Sequence, residues 1–229
     1  MRKQLNKIIS RLKGRSYEID GRIPYSYLFS LTWARGIMRI RGFLSGVKND
    51  GFLFIGRNVT LKARSMMKAG RGVTIHNGCY IDALSTGGIV FGNNVSAGKK
   101  TRIECTGNLQ MIGKGMTVGD NVGLGSDNFF GAAGGIEIGD DCILGNFISF
   151  HSENHNYSDP SAAIRLQGVT RIGIKVGKNC WIGSKATILD GALIEGGCII
   201  AAGSVVKAGV YHADGIYGGV PATFIKKRF

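Results

Sequence analysis

The sequence is poor in proline and in long apolar stretches. Only 3 of its 229 residues are proline, which excludes a collagen-like chain and a proline-rich linker. No apolar run approaches the roughly 18 residues that a membrane-spanning helix needs. Charged residues make up 19% of the chain against 44% hydrophobic ones, and this balance excludes an intrinsically disordered protein.

Acidic residues are also scarce. Asp and Glu number 15 against 29 Lys and Arg, giving a formal net charge of +14, which predicts attraction to nucleic acid, anionic lipid or phosphate-bearing small molecules. Residues 1–50 hold 11 basic and 3 acidic side chains, so 11 − 3 = +8 of that charge lies there. No helix-turn-helix, RNP or zinc-finger pattern accompanies it, so we expect no nucleic-acid partner.

The 5 cysteines are an odd number and lack CxxC spacing. Neither a disulfide framework nor a zinc site is indicated, so we expect no metal. The N-terminus lacks the uninterrupted apolar core and cleavage site of a secretion signal. Both observations predict a cytoplasmic protein.

Glycine, by contrast, is abundant, with 37 residues, roughly twice the average share of about 7%. Aliphatic residues recur at six-residue intervals from Val176 to Val206, in VGKNCW-IGSKAT-ILDGAL-IEGGCI-IAAGSV. This period is neither helical nor that of a plain alternating strand. Short strands joined by two-residue corners satisfy it, with the first and fifth positions pointing inward and Gly or Asn at the corner. Three hexapeptides then make one triangular coil, and stacked coils form a parallel β-helix.

Two further features follow from the six-residue period and its breaks. Four cysteines fall at fifth positions, where cysteine acts as a compact buried hydrophobe: Cys79, Cys142, Cys180 and Cys198. The longest break in the repeat separates Phe150 from Val176 and contains His151 and His155. A long loop on a rigid scaffold is where function is expected.

Residues 1–50 also contain an apolar stripe at helical spacing, with Arg35 and Arg39 on the opposite side, which predicts a basic amphipathic helix. It has two compatible interpretations: a cap over the open end of the β-helix, or peripheral attachment to anionic lipid at the inner face of the cytoplasmic membrane. The stripe consists of Phe29, Trp33, Ile37, Ile40 and Leu44.

The chain therefore divides into three parts. Residues 1–51 form the basic helical segment, and residues 52–211 form the β-helix with its functional loop at 151–175. Residues 212–229 form a C-terminal tail or short helix.

The segments GGIEIGDDCILGNFISFHSENHNY, KVGKNCWIGSKATILDGALIEGGCIIAAGSVV and YGGVPATFIKKR resemble the hexapeptide-repeat acyltransferases. That family includes galactoside, maltose and xenobiotic acetyltransferases and capsule or O-antigen O-acetyltransferases. The resemblance covers residues 52–229 and implies an all-β fold, a left-handed parallel β-helix. It also implies transfer of an acetyl group from acetyl-CoA to a hydroxyl or amine, in a homotrimer with clefts between subunits.

The resemblance implies a role for several residues. His155 corresponds to the histidine that acts as general base, a role suited to a neutral imidazole. Trp181 corresponds to a tryptophan at the acyl end of the cleft. Ser184 and Ala202, one coil apart, correspond to backbone sites for the pantetheine arm, and the Ser184 amide is a candidate oxyanion donor. We expect Lys207, further along that edge, and Lys226 to bind the CoA phosphates.

Asp127 and Asn128 match the place where the family has an acceptor-binding polar residue. The partner that orients His155 is left open among Glu153, Asp159, Asp127 and a backbone carbonyl.

The resulting hypothesis is an acetyl-CoA-dependent O-acetyltransferase that acts on a sugar hydroxyl in capsule, O-antigen or other surface-polysaccharide biosynthesis. The alternatives are an N-acetyltransferase of an amino sugar and a non-catalytic β-helix used for assembly. A three-histidine zinc enzyme is disfavoured, because His151 and His155 have no third histidine on a neighbouring coil.

Overall fold

The computed structural model describes residues 2–13 and 16–229. Two helices, α1 (Arg2–Lys13) and α2 (Tyr25–Leu44), precede a coil of short strands. Two single-turn 3-10 helices, Arg64–Met66 and Ile164–Leu166, interrupt the strands. In the part of the chain that is described, neither helix has the length and apolar composition to cross a bilayer.

The strands line three faces of the coil. The first face is a sheet of β1 (Lys48–Asn49), β4 (Met67–Ala69), β7 (Ile89–Phe91), β10 (Met116–Val118), β12 (Ile136–Ile138), β17 (Ile174–Val176), β20 (Ala192–Ile194) and β23 (Gly209–Tyr211). The second face contains β2 (Leu53–Ile55), β5 (Val73–Ile75), β8 (Ser96–Ala97), β13 (Ile143–Leu144), β18 (Trp181–Ile182), β21 (Ile199–Ile200), β24 (Gly215–Gly219) and β25 (Ala222–Lys227). The third face contains β3 (Thr60–Lys62), β6 (Tyr80–Asp82), β9 (Arg102–Glu104), β11 (Phe129–Gly131), β14 (Ser149–His151), β19 (Thr187–Leu189) and β22 (Val205–Val206).

Each strand of the three faces except β25 pairs in parallel with the strand one coil away. In the uninterrupted part of the repeat the partners are 18 residues apart, as in Trp181 with Ile199 and Ile188 with Val206. The parallel β-helix predicted from the six-residue period is therefore confirmed. Its corners use the left-handed conformation that the turns require, at Asn58, Asn94, Lys100, Asn121, Asp127, Asp141, Phe147, Asn179 and Lys185 as well as at glycines.

The inward positions form one continuous core along the coil. All five cysteines are buried, which confirms the interior placement of the four at fifth positions. Burial raises the pKa of the Cys79 thiol to about 11 and that of the Cys105 thiol to about 12. These two thiols stay protonated at neutral pH and contribute by packing.

The helix α2 packs against β2, the first strand of the second face. Leu28 is buried, and a Cβ at Gly42 would stand 1.9 Å from the carbonyl oxygen of Leu53, so helix and strand backbones are in direct contact. The guanidinium carbon of Arg35 lies 5.0 Å from the centre of the Phe54 ring. The predicted helix is confirmed, and its arginine side, not its apolar stripe, faces the coil.

The C-terminus differs from the expected tail or short helix. β24 and β25 form an antiparallel hairpin that extends the second face. The ring centre of Tyr217 lies 5.0 Å from that of Tyr211 and 5.6 Å from that of Phe224. An extended hairpin forms because these aromatic side chains pack across the last coil, which a helix would not allow in this register.

The stacked aromatic rings inside the third face provide a test of the core. Phe130 and Phe150 are fully buried with ring centres 5.1 Å apart. Substituting Phe150→Ala leaves a cavity between coils and is expected to lower the free energy of unfolding by about 3–5 kcal/mol. Urea denaturation measures this loss, and Leu109→Ala, at a residue that is 80% exposed, serves as the control with a change within about 0.5 kcal/mol. Equal effects of the two substitutions would contradict the packing described.

Candidate active site

The long loop leaves the coil at the corner between the third and first faces. It begins after β14 and returns at β17, and its base is a two-stranded antiparallel ladder of β15 (Asn154–His155) and β16 (Val169–Thr170). His155 pairs with Val169 in this ladder, and its side chain is exposed. The ladder holds the His155 backbone in one conformation, so the imidazole projects from an ordered support.

Two charged contacts brace the base of the loop. The Arg171 Nε donates to the Glu153 carboxylate at 2.7 Å, and Arg171 Nη1 donates to the carbonyl of Met111 at 3.1 Å. Asp190, which is 1% exposed, accepts hydrogen bonds from the backbone N–H groups of Ile172 (3.0 Å) and Gly173 (2.7 Å). Asp190 therefore fixes the point at which the loop rejoins the coil. Its signal in the sequence is the Asp-Gly pair in ILDGAL.

Inside the loop, polar side chains replace a hydrophobic core. Asn156 donates from Nδ2 to the carbonyl of Gln167 at 3.1 Å and accepts from the Thr170 hydroxyl at 2.8 Å. Gln167 donates to the carbonyls of Asp159 and Ala162. These bonds tie the outgoing and returning strands together beyond His155.

The three carboxylates considered as partners of His155 have other contacts. Glu153 pairs with Arg171. Asp159 accepts from the hydroxyl and N–H of Ser161, and these bonds hold its pKa below the usual range. Asp127 lies at a different corner, between the second and third faces. Within the described residues of one chain, no hydrogen bond to the His155 ring is formed.

Trp181 stands on the outer side of the second face with 54% of its surface exposed. Its neighbours in the sheet are Ile143 on the coil before and Ile199 on the coil after. The three side chains form an outward apolar strip. Lys226, which is exposed and pairs with Ile216, extends the same sheet.

A ladder of side-chain caps runs along the corner between the second and third faces and stops at Ser184. The Ser126 N–H donates to Asn146 Oδ1 at 2.9 Å, and the Asn146 N–H donates to Ser184 Oγ at 3.2 Å. The next residue in the column is Ala202, whose methyl group accepts nothing. Across residues 2–13 and 16–229, the Ser184 N–H has no hydrogen-bond acceptor, so this amide is available to a ligand.

The structure differs from the sequence prediction at two site residues, Lys207 and Asn128. Lys207 does not continue the Ser184–Ala202 edge, because it follows β22 and so begins the next corner, between the third and first faces. Asn128 is 2% exposed, and its amide donates to the carbonyls of Leu124 and Gly145 and accepts from the Ile148 N–H at 2.7 Å. Every polar atom of the Asn128 side chain is paired inside the coil, so none is left for an acceptor. Asp127 is exposed at the Ser184 corner.

The expected residues thus fall into two groups. His155 belongs to the corner between the third and first faces. Trp181, Ser184 and Ala202 belong to the second face and the corner that follows it. One chain does not bring the histidine to the tryptophan.

Known proteins are similar to this chain in their repeats, in sequence and in fold. A family model described as bacterial transferase hexapeptide (six repeats) matches residues 173–208, and one described as hexapeptide repeat of succinyl-transferase matches residues 115–146. A probable acetyltransferase of Mycobacterium tuberculosis is 30% identical over 138 residues, 60% of this chain and 42% of that protein. The chain thus spans about two fifths of the length of this relative.

Solved structures with similar coils include AntD, an N-acyltransferase from Bacillus cereus. Its complex with dTDP and 3-hydroxybutyryl-CoA has a TM-score of 0.56 at 18% identity, covering 81% of this chain and 85% of that one. A mutant in complex with dTDP-4-amino-4,6-dideoxyglucose and coenzyme A has a TM-score of 0.53 at 16% identity, covering 81% and 86%. Repeat models, a matching acetyltransferase sequence and a shared fold agree with the sequence motifs: the chain carries bacterial transferase hexapeptide repeats and resembles the hexapeptide-repeat acetyltransferases.

Proposed function

We propose that the protein is a cytoplasmic acetyl-CoA-dependent O-acetyltransferase that acts on a sugar hydroxyl in surface-polysaccharide biosynthesis, with His155 as general base. The observation that carries the proposal is the exposed His155 imidazole on a loop braced by Asp190 and by the Glu153–Arg171 pair. An imidazole held on a rigid support and free of internal partners is suited to proton transfer with a bound substrate.

The proposed reaction uses two groups of the protein directly. Neutral His155 removes the proton from the acceptor hydroxyl while its oxygen attacks the thioester carbonyl of acetyl-CoA. The N–H of Ser184, which has no acceptor among the described residues of the chain, stabilises the negative charge on the tetrahedral intermediate. The intermediate collapses with cleavage of the carbon–sulfur bond, and the imidazolium returns its proton to the leaving thiolate.

Acetyl-CoA occupies the second face and the corner after it. Trp181 packs on the acyl end, and the pantetheine arm follows the column of Ser184 and Ala202. Lys226, exposed on the same sheet, faces the CoA phosphates. The CoA and acyl-CoA complexes of AntD support this class of co-substrate. Asp127, at the Ser184 corner, is the remaining candidate for a contact with the acceptor.

The separation of the two residue groups supports a shared site. His155 lies at the corner between the third and first faces, whereas Trp181 lies on the second face, so a complete site forms when the loop of one copy meets the second face of another. Three copies around a threefold axis satisfy this arrangement at every interface. The protein is therefore a homotrimer in this proposal.

The second candidate acceptor is the amine of a nucleotide-linked amino sugar. Structural similarity to AntD, solved with dTDP-4-amino-4,6-dideoxyglucose and coenzyme A, favours this alternative. The same base and amide serve both acceptors, because either nucleophile loses a proton as it attacks the thioester. The O-acetyltransferase and N-acetyltransferase proposals are therefore distinguished by which acceptor, hydroxyl or amine, supports turnover.

The assignment of His155 is tested by thiol release from acetyl-CoA with a panel of sugars, glycans and nucleotide-linked amino sugars. His155→Ala is expected to lower acceptor-dependent kcat by about 10²–10⁴-fold, the usual contribution of a general base. His212→Ala, at another exposed histidine, is the matched control and is expected to retain the wild-type rate. Equal rates for wild type and His155→Ala would reject His155 as the general base. Thiol release that no acceptor increases would favour a non-catalytic role in assembly.

The shared site is tested by mixing two inactive variants. His155→Ala lacks the base, and Trp181→Glu places a carboxylate where the acyl end lies. After equal amounts are refolded together, about a quarter of the interfaces combine an intact loop with an intact second face, so about a quarter of wild-type activity is expected. Each variant refolded alone is the control. No recovery in an assembled mixture would place the whole site within one chain.

The anchoring role of Asp190 is tested with Asp190→Asn. The substitution replaces one of two acceptors with a donor that faces an N–H group, and a hydrogen bond to a charged group contributes about 1.5–3 kcal/mol. Faster hydrogen exchange across residues 152–173 and a lower kcat are expected, with the KM for acetyl-CoA unchanged. Asp159→Asn, whose contacts stay within its own turn, is the control. Lost activity with unchanged exchange would contradict a positioning role.

A further inference from the structure

The helix α2 is amphipathic, and it is inverted relative to an ordinary surface helix. The side that faces the coil carries the buried Leu28 and Gly42 together with Arg35 and Arg39. Arg35 Nη1 donates to the Thr74 hydroxyl at 2.8 Å, and the Arg39 guanidinium carbon lies 5.2 Å from the centre of the Phe52 ring. The cationic side of the helix is therefore already engaged by the coil.

The opposite side of α2 carries large apolar side chains into solvent. We call this the outer surface of α2, and its main members are Phe29 (63% exposed), Trp33 (66%), Ile40 (60%), Phe43 (74%) and Leu44 (71%). A contiguous apolar surface of this kind on a folded protein marks an interaction site. The aromatic rings Tyr25 and Tyr27, each 59% exposed, extend it at the beginning of the helix.

The surroundings of this surface are cationic. Neither α1 nor α2 contains an Asp or Glu, whereas α1 contributes exposed Lys3, Lys7 and Arg11. A second copy placed on the surface would bring two positive segments together. An anionic partner would be attracted.

A basic cavity opens beside the last turn of α2. It has a volume of about 450 Å³ and is lined by Arg41 and Arg64 above the apolar side chains of Ile55, Val59 and Leu61. Arg64 Nη1 donates to the Ser45 carbonyl at 3.0 Å, which fixes one guanidinium at the rim. Two guanidinium groups over an apolar floor suit a phosphate with an attached hydrocarbon.

We propose that the outer surface of α2 docks on an anionic lipid bilayer. The helix lies parallel to the membrane plane, with Trp33 and Phe43 among the headgroups and upper acyl chains. Arg41 and Arg64 bind a lipid phosphate, and the cations of α1 add long-range attraction. The loop with His155 remains on the coil, so docking does not require the proposed acetyl transfer.

The full-length protein is tested by cosedimentation with vesicles of phosphatidylcholine alone and of phosphatidylcholine with about 30% phosphatidylserine. Binding to the anionic vesicles, weakened by added salt, is expected. The double variant Trp33→Ser/Phe43→Ser is expected to bind at least about tenfold more weakly. Leu109→Ser/Phe229→Ser, at residues 80% and 89% exposed elsewhere, is the matched control and is expected to bind like wild type.

A second variant and a second readout keep the test independent of folding. Arg41→Glu is expected to weaken binding to anionic vesicles while leaving the unfolding midpoint unchanged. The chain has 2 tryptophans, Trp33 and Trp181, so Trp33 alone emits in the variant Trp181→Phe. Its emission is expected to move to shorter wavelengths when the helix docks. The variants Trp33→Ser/Phe43→Ser and Arg41→Glu, made without the Trp181 substitution, are expected to acetylate a soluble acceptor at the wild-type rate, so this result stands apart from the proposed reaction.

Three results would overturn the proposal. They are equal binding to both vesicle types, equal loss of binding in the α2 and control double variants, and unchanged Trp33 emission with vesicles. If the α2 substitutions change the oligomeric mass in solution and leave vesicle binding intact, the surface is an interface between copies.

Discussion

The hydrogen bonds between successive coils are the constraint on which the rest of the structure depends. Each strand finds its partners one coil away, so residues of equal position stack in columns and every insertion must leave at a corner. The loop after Phe150 can reach His155 and return because Val176 resumes the column that Ile138 occupies on the coil before. Catalytic residues on such a scaffold are therefore positioned by column and corner, not by distance along the chain.

This constraint explains what the sequence could and could not predict. The uninterrupted repeat predicted the coil and the stacking of Ser184 on Ala202, because an 18-residue spacing follows directly from three hexapeptides. The predicted position of Lys207 was wrong, because the chain crosses the third face at β22 between Ala202 and Lys207. Lys207 therefore lies at the following corner. The prediction failed for Asn128 because an asparagine inside a coil is indistinguishable in sequence from one at its surface; its burial depends on carbonyl groups of two coils.

The orientation of α2 was equally hidden from the sequence. A helical wheel shows an apolar side and a cationic side, and apolar burial alone would turn the first toward the coil. The coil instead presents the rings of Phe52 and Phe54 and the hydroxyl of Thr74, which favour Arg35 and Arg39. Burial lowers the pKa of Arg35, so this packing has an electrostatic cost that ring and hydroxyl contacts offset. The apolar side is then left facing solvent.

The same geometry separates the parts of the protein that can vary from those that cannot. A change in the core is transmitted to the coils on either side, because every inward side chain packs between two neighbours. The loop is held by only a few polar contacts at its base, chiefly Asp190 and the Glu153–Arg171 pair. Under the proposed function, its tip can therefore change to accept a different acceptor while the coil continues to present Ser184 and Trp181 to the same co-substrate. In the proposed trimer, acceptor specificity then depends on the loop and on the subunit that it meets, and the proposed use of acetyl-CoA depends on the repeat.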